Sequence, residues 1–329
     1  MNEKKHIIAT VAMLFVAFHA RAQSAGTSVF DFLSLPTSSH ATALGGHNLS
    51  LPDDDASLLF LNPALMSDAS DQAIALSFFT YMQGSKAGTA AWTMAHGDRG
   101  TWGVGAQFVG YGSMTETTIE GIEQGDCSAL DMAMTGGYSY ALTEHLAGGA
   151  TGKFIYSNYG PYSSVALAVD LGLNYYDEEH DFSLSLVGAN LGGQVKAFGD
   201  THEVLPYDVR FGLTKQLANA PIRFSVSLVD LTRWKANQYY SSDGAPSAGR
   251  ILTNHFVVGI DVLPAKQVYL SAGYNFRRAY EMKAAGGSHG AGLSFGAGLN
   301  IKKFKLGLAY AKYHLSAPGF MITTQYNLK

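Results

Sequence analysis

The chain has 329 residues, of which 15% are charged and 12% aromatic, with 37 glycines and a formal net charge of −4. A soluble domain carries roughly 25% charged residues, and a nucleic-acid partner needs clustered Lys and Arg, which this balance excludes. The mean hydropathy is +0.04 and no run of about 18 apolar residues occurs, so a bundle of membrane-spanning helices is excluded as well.

The first residues read MNEKKHIIATVAMLFVAFHARAQSAG. Lys4 and Lys5 precede an apolar run from Ile7 to Phe18, and Ala20-Arg21-Ala22 supplies a small-x-small site before Gln23. That order predicts a secretory signal peptide over residues 1–22, cleaved near Ala22–Gln23, and hence an exported mature chain. Residues 23–72 are rich in turn formers and keep no period. They mix Phe30, Phe32, Leu33, Leu44, Leu59, Phe60 and Leu61 with Asp53, Asp54 and Asp55. They are read as an amphipathic plug segment; a disordered tail is the competing reading, and the apolar content counts against it.

Residues 73–329 alternate apolar and polar with a break every 10–16 residues, in fourteen segments. A period of two belongs to strands whose faces meet different surroundings. The apolar faces run in chain order through Ile74, Leu76 and Phe78; Ala90, Trp92 and Met94; then Trp102, Val104, Ala106 and Phe108. Leu130, Met132, Met134, Tyr138 and Tyr140 follow, then Leu146, Ala150, Phe154 and Tyr156. The sixth is the cleanest, with Val165, Leu167, Val169, Leu171 and Leu173 on one face. Phe182, Leu184 and Leu186 come next, then Val209, Phe211 and Leu213, then Ile222, Phe224, Val226 and Leu228. The tenth holds Phe256, Val258, Ile260 and Val262, and the eleventh Val268, Leu270, Tyr274 and Phe276. Leu293, Phe295 and Leu299; Phe304, Leu306, Leu308 and Tyr310; and Ile322, Thr324, Tyr326 and Leu328 complete the set.

The opposite faces decide what the strands face. They carry Gly, Ala, Ser, Thr and Asn with sparse ions of both signs: Asp131, Lys153, Asp170, Arg210, Arg223, Asp261, Arg277 and Lys305. A water-facing sheet would carry more Lys and Glu, whereas the inside of a closed membrane barrel suits this composition, because its ions pair there and avoid hydrocarbon. Connections alternate in length. Short ones at 97–100, 143–145, 177–181, 217–221, 263–266 and 302–304 are separated by longer ones at 113–128, 157–163, 192–206, 233–255, 277–289 and 315–320. Such parity is expected of an outer-membrane barrel with short periplasmic turns and long outer loops. Only the first hairpin, QGSK, is short where an outer loop is expected. The expected fold is therefore all-β: a transmembrane antiparallel barrel of about fourteen strands over residues 73–329, closed so that no edge is left unpaired in lipid.

Motifs for chemistry are weak. Gly290 to Gly296, GAGLSFG, lies in an alternating segment with no helix after it, which fails the dinucleotide-loop context. PDDDA lacks the spaced ligands of a calcium loop and reads as an acidic corner. Cys127 is unpaired in the mature chain, and His96, His145, His180, His255, His202 and His289 are scattered over strand ends and loops. No catalytic residue, cofactor or metal ligand is assigned. A lipid-modifying barrel enzyme has no motif behind it.

FDFLSLPTSSHATALGG followed by DDDASLLFLNPALMS resembles the start of the PorQ family of the type IX secretion system. The likeness continues through GKFIYSNYGPYSSVALAVDLGLNYY, NLGGQVKAFG, LPYDVRFGLTKQLANAPIRFSVSL and GYNFRRAYEM, nearly the whole mature chain. Asn62-Pro63-Ala64 is also shared with the wider family of long-chain fatty-acid channels. The resemblance implies a barrel of the fatty-acid-channel type in the outer membrane of a Bacteroidetes-like bacterium. It further implies a non-enzymatic member of the cell-surface attachment complex, beside a sortase-like protease and a shuttle barrel that process cargo and join it to anionic lipopolysaccharide. On that reading the chain anchors a PorZ-like surface protein, chiefly through loops 192–206, 233–255 and 277–289. The alternative is a passive transporter of hydrophobic small molecules gated by residues 23–72, against which a small-residue, ionic lumen counts.

Overall fold

The computed structural model describes residues 28–69, 71–80, 85–117, 123–240, 244–282, 290–313 and 319–328; the expected leader lies outside them. The strands are β1 (Ala73–Thr80), β2 (Lys86–His96), β3 (Gly100–Thr117), β4 (Glu123–Ala141), β5 (Leu146–Tyr159), β6 (Tyr162–Asp177) and β7 (Phe182–Lys196). They continue as β8 (Asp208–Gln216), β9 (Ile222–Leu228), β10 (Phe256–Ala265), β11 (Val268–Asn275), β12 (Leu293–Ile301), β13 (Phe304–Ala311) and β14 (Gly319–Asn327). Each pairs antiparallel with its sequence neighbours, and β1 pairs with β14 from Ala73↔Asn327 to Phe79↔Met321, so the fourteen strands form a closed barrel. Closure satisfies the backbone donors and acceptors that hydrocarbon could not.

The alternation decides which way each side chain points. On β1 every second residue from Ala73 is buried, and Ile74, Leu76 and Phe78 are exposed. On β6 Leu167, Val169, Leu171, Leu173 and Tyr175 face out, while Ala166, Ala168, Asp170 and Asn174 face in. The outer surface carries a band of large apolar side chains right round the ring, from Ile74 through Leu171 and Leu270 to Ile322. Water does not tolerate an apolar surface of that extent on a monomer, and acyl chains do.

The parity of connections holds at one end of the barrel and in part at the other, where β1–β2 and β5–β6 are also joined by short connections. Turns 97–99, 142–145, 178–181, 217–221, 266–267 and 302–303 are short and share one end of the barrel. At the other end β7–β8, β9–β10 and β11–β12 are joined by long segments, two of which carry short helices, Ala248–Asn254 and Phe276–Glu281. Three expectations change here. Residues 113–117 and 123–128, expected within a loop, are paired strand, from Ser113↔Ser128 to Thr117↔Glu123, beyond a register shift after Gly110. A ribbon that leaves the membrane meets water on both faces, so it loses its period. Residues 157–163 are likewise paired down to Tyr159↔Tyr162, across a two-residue turn that Gly160 enters at φ 57. Phe276 opens a helix capped by Asn275, whose side chain accepts from Arg278 N, and does not belong to β11.

Candidate functional site

The inner wall and residues 28–69 form one packed unit. The segment begins at the long-connection end, where Ser28 bridges Val204, and finishes at the short-turn end just before β1. In between it makes four short helical pieces, the last three of them started by a side-chain cap. Ser38 caps Ser39–Ala43 by accepting from Ala41 N; Asp55 caps Ala56–Phe60 and Asn62 caps Pro63–Asp68. The wall holds the segment from several strands along one arc of the ring. Gln107 on β3 donates to Phe32 O at 3.0 Å, Thr89 on β2 to Thr37 O at 2.8 Å, and Ser294 on β12 to Ala43 O at 3.0 Å. In return Ser39 N donates to Thr323 at 2.8 Å and Ala56 N to Gln325 at 3.0 Å, both on β14.

The lumen has two chemically different halves. The half made by β1–β6, β13 and β14 is apolar near the long-connection end. There Phe79, Ala87, Val109, Ala133, Ile155, Ala166, Ala168, Ala309 and Met321 pack around Phe30, Phe32 and Leu33. Burying one such large side chain stabilises by roughly 1.5–3 kcal/mol. Phe30 holds φ 62, in the left-handed region, as it enters the turn Asp31–Ser34. The sequence expectation of a uniformly small-residue, ionic lumen is therefore incomplete, because inward Ala, Val and Ile supply an apolar patch.

The other half is ionic. Arg223 Nη2 lies 2.7 Å from Asp261 Oδ2, and Ser271 donates to Asp261 Oδ1 at 2.5 Å. His40 sits between carboxylates of segment and wall, with Nδ1 3.2 Å from Asp53 and Nε2 3.0 Å from Asp261, its ring stacked on Tyr269 at 4.0 Å. Burial alone pushes the imidazole pKa down, but the Asp261 charge and hydrogen bond, reinforced by Asp53, raise it to about 9. Burial by itself would lift Asp53; its hydrogen bond to His40 and the charges of His40 and Lys305 instead hold it below the usual carboxylate range. Lys305 Nζ also reaches Asp54 at 3.0 Å, and Asn327 donates to Asp54 at 2.8 Å.

Each ion singled out from the sequence finds partners. Lys153 pairs with Asp170 at 2.6 Å and Asn190 at 2.8 Å, Arg210 with Asp208 at 2.9 Å, and Asp131 accepts from Tyr111, Tyr159 and Ser157. Arg277 is the exception in place, because it lies on the short helix after β11, where it pairs with Asp230 and Glu281. The PDDDA acids are tied down by His40, Lys305 and Ser57 N. Of the glycine-rich run, Gly290 lies in a turn at φ 66, and Gly296 faces inward where an added Cβ would meet Ala43 Cβ at 2.5 Å. His96, His145 and His180 lie at the short-turn end, His202 is exposed, His255 is buried beside Trp234, and His289 falls outside the described residues. His40, which ties the segment to Asp261 of the wall, carries no local motif; its partner Asp261 is 221 residues away.

A closed fourteen-stranded antiparallel barrel with an apolar outer band and an N-terminal segment along its interior has the fold of an outer-membrane channel. Among solved structures the chain is similar to the Pseudomonas putida toluene transporter TodX, with a TM-score of 0.55 at 15% identity, covering 91% of this chain and 98% of that one. A Pseudomonas aeruginosa FadL homologue aligns with a TM-score of 0.54 at 12% identity over 89% of this chain and 98% of that one. The monoaromatic hydrocarbon channel CymD gives 0.55 at 12% over 89% and 96%. No family model and no curated protein matches the sequence.

Proposed function

We propose that this protein is a passive outer-membrane channel for small hydrophobic molecules, with the N-terminal segment as its gate. One observation carries the reading: the apolar patch of the inner wall is covered by Phe30, Phe32 and Leu33. An apolar solute of similar size replaces those side chains without loss of buried apolar area. Phe30 in the left-handed region costs about 1–2 kcal/mol, so the covered state holds strain that displacement relieves. The neighbours described as toluene and monoaromatic hydrocarbon channels point the same way. The test is uptake of radiolabelled toluene and oleate by cells with and without the protein. Uptake is expected to depend on the protein, and a Phe30→Asp/Phe32→Asp double variant, which loosens the cover, is expected to raise it several-fold. Uptake indifferent to the protein would sink the proposal.

A second reading is favoured by a different observation. Tyr162, Val195, Trp234 and Tyr240 are 61%, 63%, 53% and 69% exposed at the long-connection end, beyond the band that faces lipid. Tyr162 and Val195 stand at the ends of β6 and β7, and Trp234 and Tyr240 on the segment after β9; exposed aromatic and apolar side chains of this kind are the composition of a protein interface. Together with the likeness to the PorQ family, they support an anchor for a PorZ-like surface protein of the attachment complex. Pull-down from detergent-solubilised outer membranes tests it; the partner is expected to co-purify and to be shed from a deletion strain. Normal cargo maturation in that strain would count decisively against an anchor, and leaves the uptake assay to judge the channel.

A further inference from the structure

At the long-connection end the barrel encloses a second, polar cavity of about 250 Å3, bounded by His47, the first residues of β8 and the segment after β9. One water takes about 30 Å3 of liquid volume, so the space suits a solute of amino-acid size. Asp208 and Arg210 are two apart on β8 and share its inner face, with Arg210 Nε 2.9 Å from Asp208 Oδ2. Asp208 Oδ2 also accepts from Asp230 N at 2.8 Å. Asp230 is paired in turn: Arg277 Nη1 lies 2.5 Å from its Oδ2, and Arg233 Nε forms a looser ion pair 3.6 Å from its Oδ1. Two polar atoms are left over. Asp208 is only 3% exposed, yet its Oδ1 has no hydrogen-bond partner, and neither has His47 Nδ1.

A buried carboxylate oxygen without a donor is costly, and such orphans mark places where something else binds. Arg210 is committed through Nε, which leaves the far edge of its guanidinium for a planar acceptor. The wall thus offers one acceptor for a cation beside one fork for a carboxylate. A ligand with a single charge would satisfy one and strand the other. We propose that this cavity binds a small zwitterion, an α-amino acid or a molecule with the same adjacent ammonium and carboxylate. As folded, Asp208 Oδ1 and His47 Nδ1 are both closed to contact by a water-sized group, so the ammonium sits on Asp208 Oδ1 once that carboxylate turns toward the cavity, the carboxylate sits on the guanidinium of Arg210, and His47 supplies a neutral hydrogen-bond partner. Burial, together with the charge of Arg210, pushes the His47 pKa down to about 3, so it does not compete with the ammonium. The site is separate from the apolar patch and stands whether or not the channel reading does.

The test is calorimetry on the purified full-length barrel in detergent, with L-norvaline, N-acetyl-L-norvaline and L-norvaline amide as probes. L-norvaline is expected to bind at least tenfold more tightly than either singly charged analogue. Asp208→Asn is expected to weaken L-norvaline at least tenfold and leave the N-acetyl analogue unchanged, and Arg210→Gln to spare the amide instead. His47→Phe, which fills the cavity without touching the ion pairs, is expected to abolish binding, and it keeps the test informative if either charge variant fails to fold. No heat from L-norvaline with folded protein, or equal affinity for all three probes, would overturn the proposal and leave a cavity that holds water alone.

Discussion

At the scale of single residues, His40 is the ionic contact that ties the segment to Asp261 of the wall. It lies between Asp53 and Asp261, and a buried charge is tolerated only when paired in this way. Its pKa in the folded chain, about 9, is above its ordinary value of 6.5. A raised value means that the charged form stabilises the fold, fully so below pH 6.5, and that this stabilisation is lost as pH rises through about 9. Protection factors of the amides of residues 28–69, with the intrinsic base-catalysed rate divided out, are therefore expected to be high and flat up to about pH 6.5 and to fall as pH rises through about 9. His40→Leu removes the cation and leaves Asp53 with Lys305 alone at 4.0 Å, while Asp261 keeps Arg223, so the loss is expected at or below the low end of the roughly 3–5 kcal/mol for a broken buried pair; in that variant the pH step in protection is expected to vanish and the segment to be less protected at every pH. Two glycines make a matching steric point. A Cβ on Gly149 of β5 would lie 2.4 Å from the Pro63 carbonyl carbon, and one on Gly273 of β11 2.4 Å from Gly45 N. Both obstacles are backbone, which cannot rotate away. Gly149→Ala is expected to leave the barrel folded, as judged by heat-modifiable gel mobility, and to make the Asn62–Ala64 turn cleavable by added protease.

At the scale of elements, the outward face of each strand is set by lipid. Leu171 lies in the middle of β6, opposite Ala150 of β5 and Gly188 of β7. An arginine there costs about 2–4 kcal/mol at the bilayer midplane, and little near the interface. Leu171→Arg is expected to lower folding stability in phosphatidylcholine vesicles by that amount in a urea titration, and Val195→Arg, at the far end of β7, to change it by less than about 1 kcal/mol. The same physics explains what could be read from the sequence. Strands bathed in lipid on one side and packed on the other show a period of two, and all fourteen segments marked by it became strands of the barrel. Where the surroundings are alike on both faces the period disappears, so the extension of β3 and β4 beyond Gly110 read as a loop. The inward ions were legible as sparse charges of both signs on the small-residue face. Their partners were not, because pairs such as Lys153–Asp170 and Arg223–Asp261 cross between strands. The apolar patch under Phe30 and Phe32 was missed for a simpler reason: inward Ala, Val and Ile look like ordinary small wall residues until the ring brings them together.

At the scale of the whole molecule, loop length and strand count fix how the barrel must sit. An even number of strands returns the chain to the end it started from, and Ala73 is indeed registered with Asn327 at the short-turn end. Outer-membrane barrels carry short turns on the periplasmic side and longer loops on the outer side, and the loops that bind are the long ones. In an outer membrane the end holding Trp234 and Tyr240 is therefore expected to face outward, and with it the polar cavity and the covered apolar patch. The opposite end carries His180, exposed in the turn between β6 and β7. A single cysteine at each end decides the matter. Cys127 is first replaced by Ser, because it is partly exposed in β4 and would react. Tyr240→Cys is then expected to label in intact cells with a membrane-impermeant maleimide, and His180→Cys only after the outer membrane is permeabilised. The reverse pattern would place the aromatic loops in the periplasm, where neither entry of a solute from outside nor the holding of a surface partner is possible.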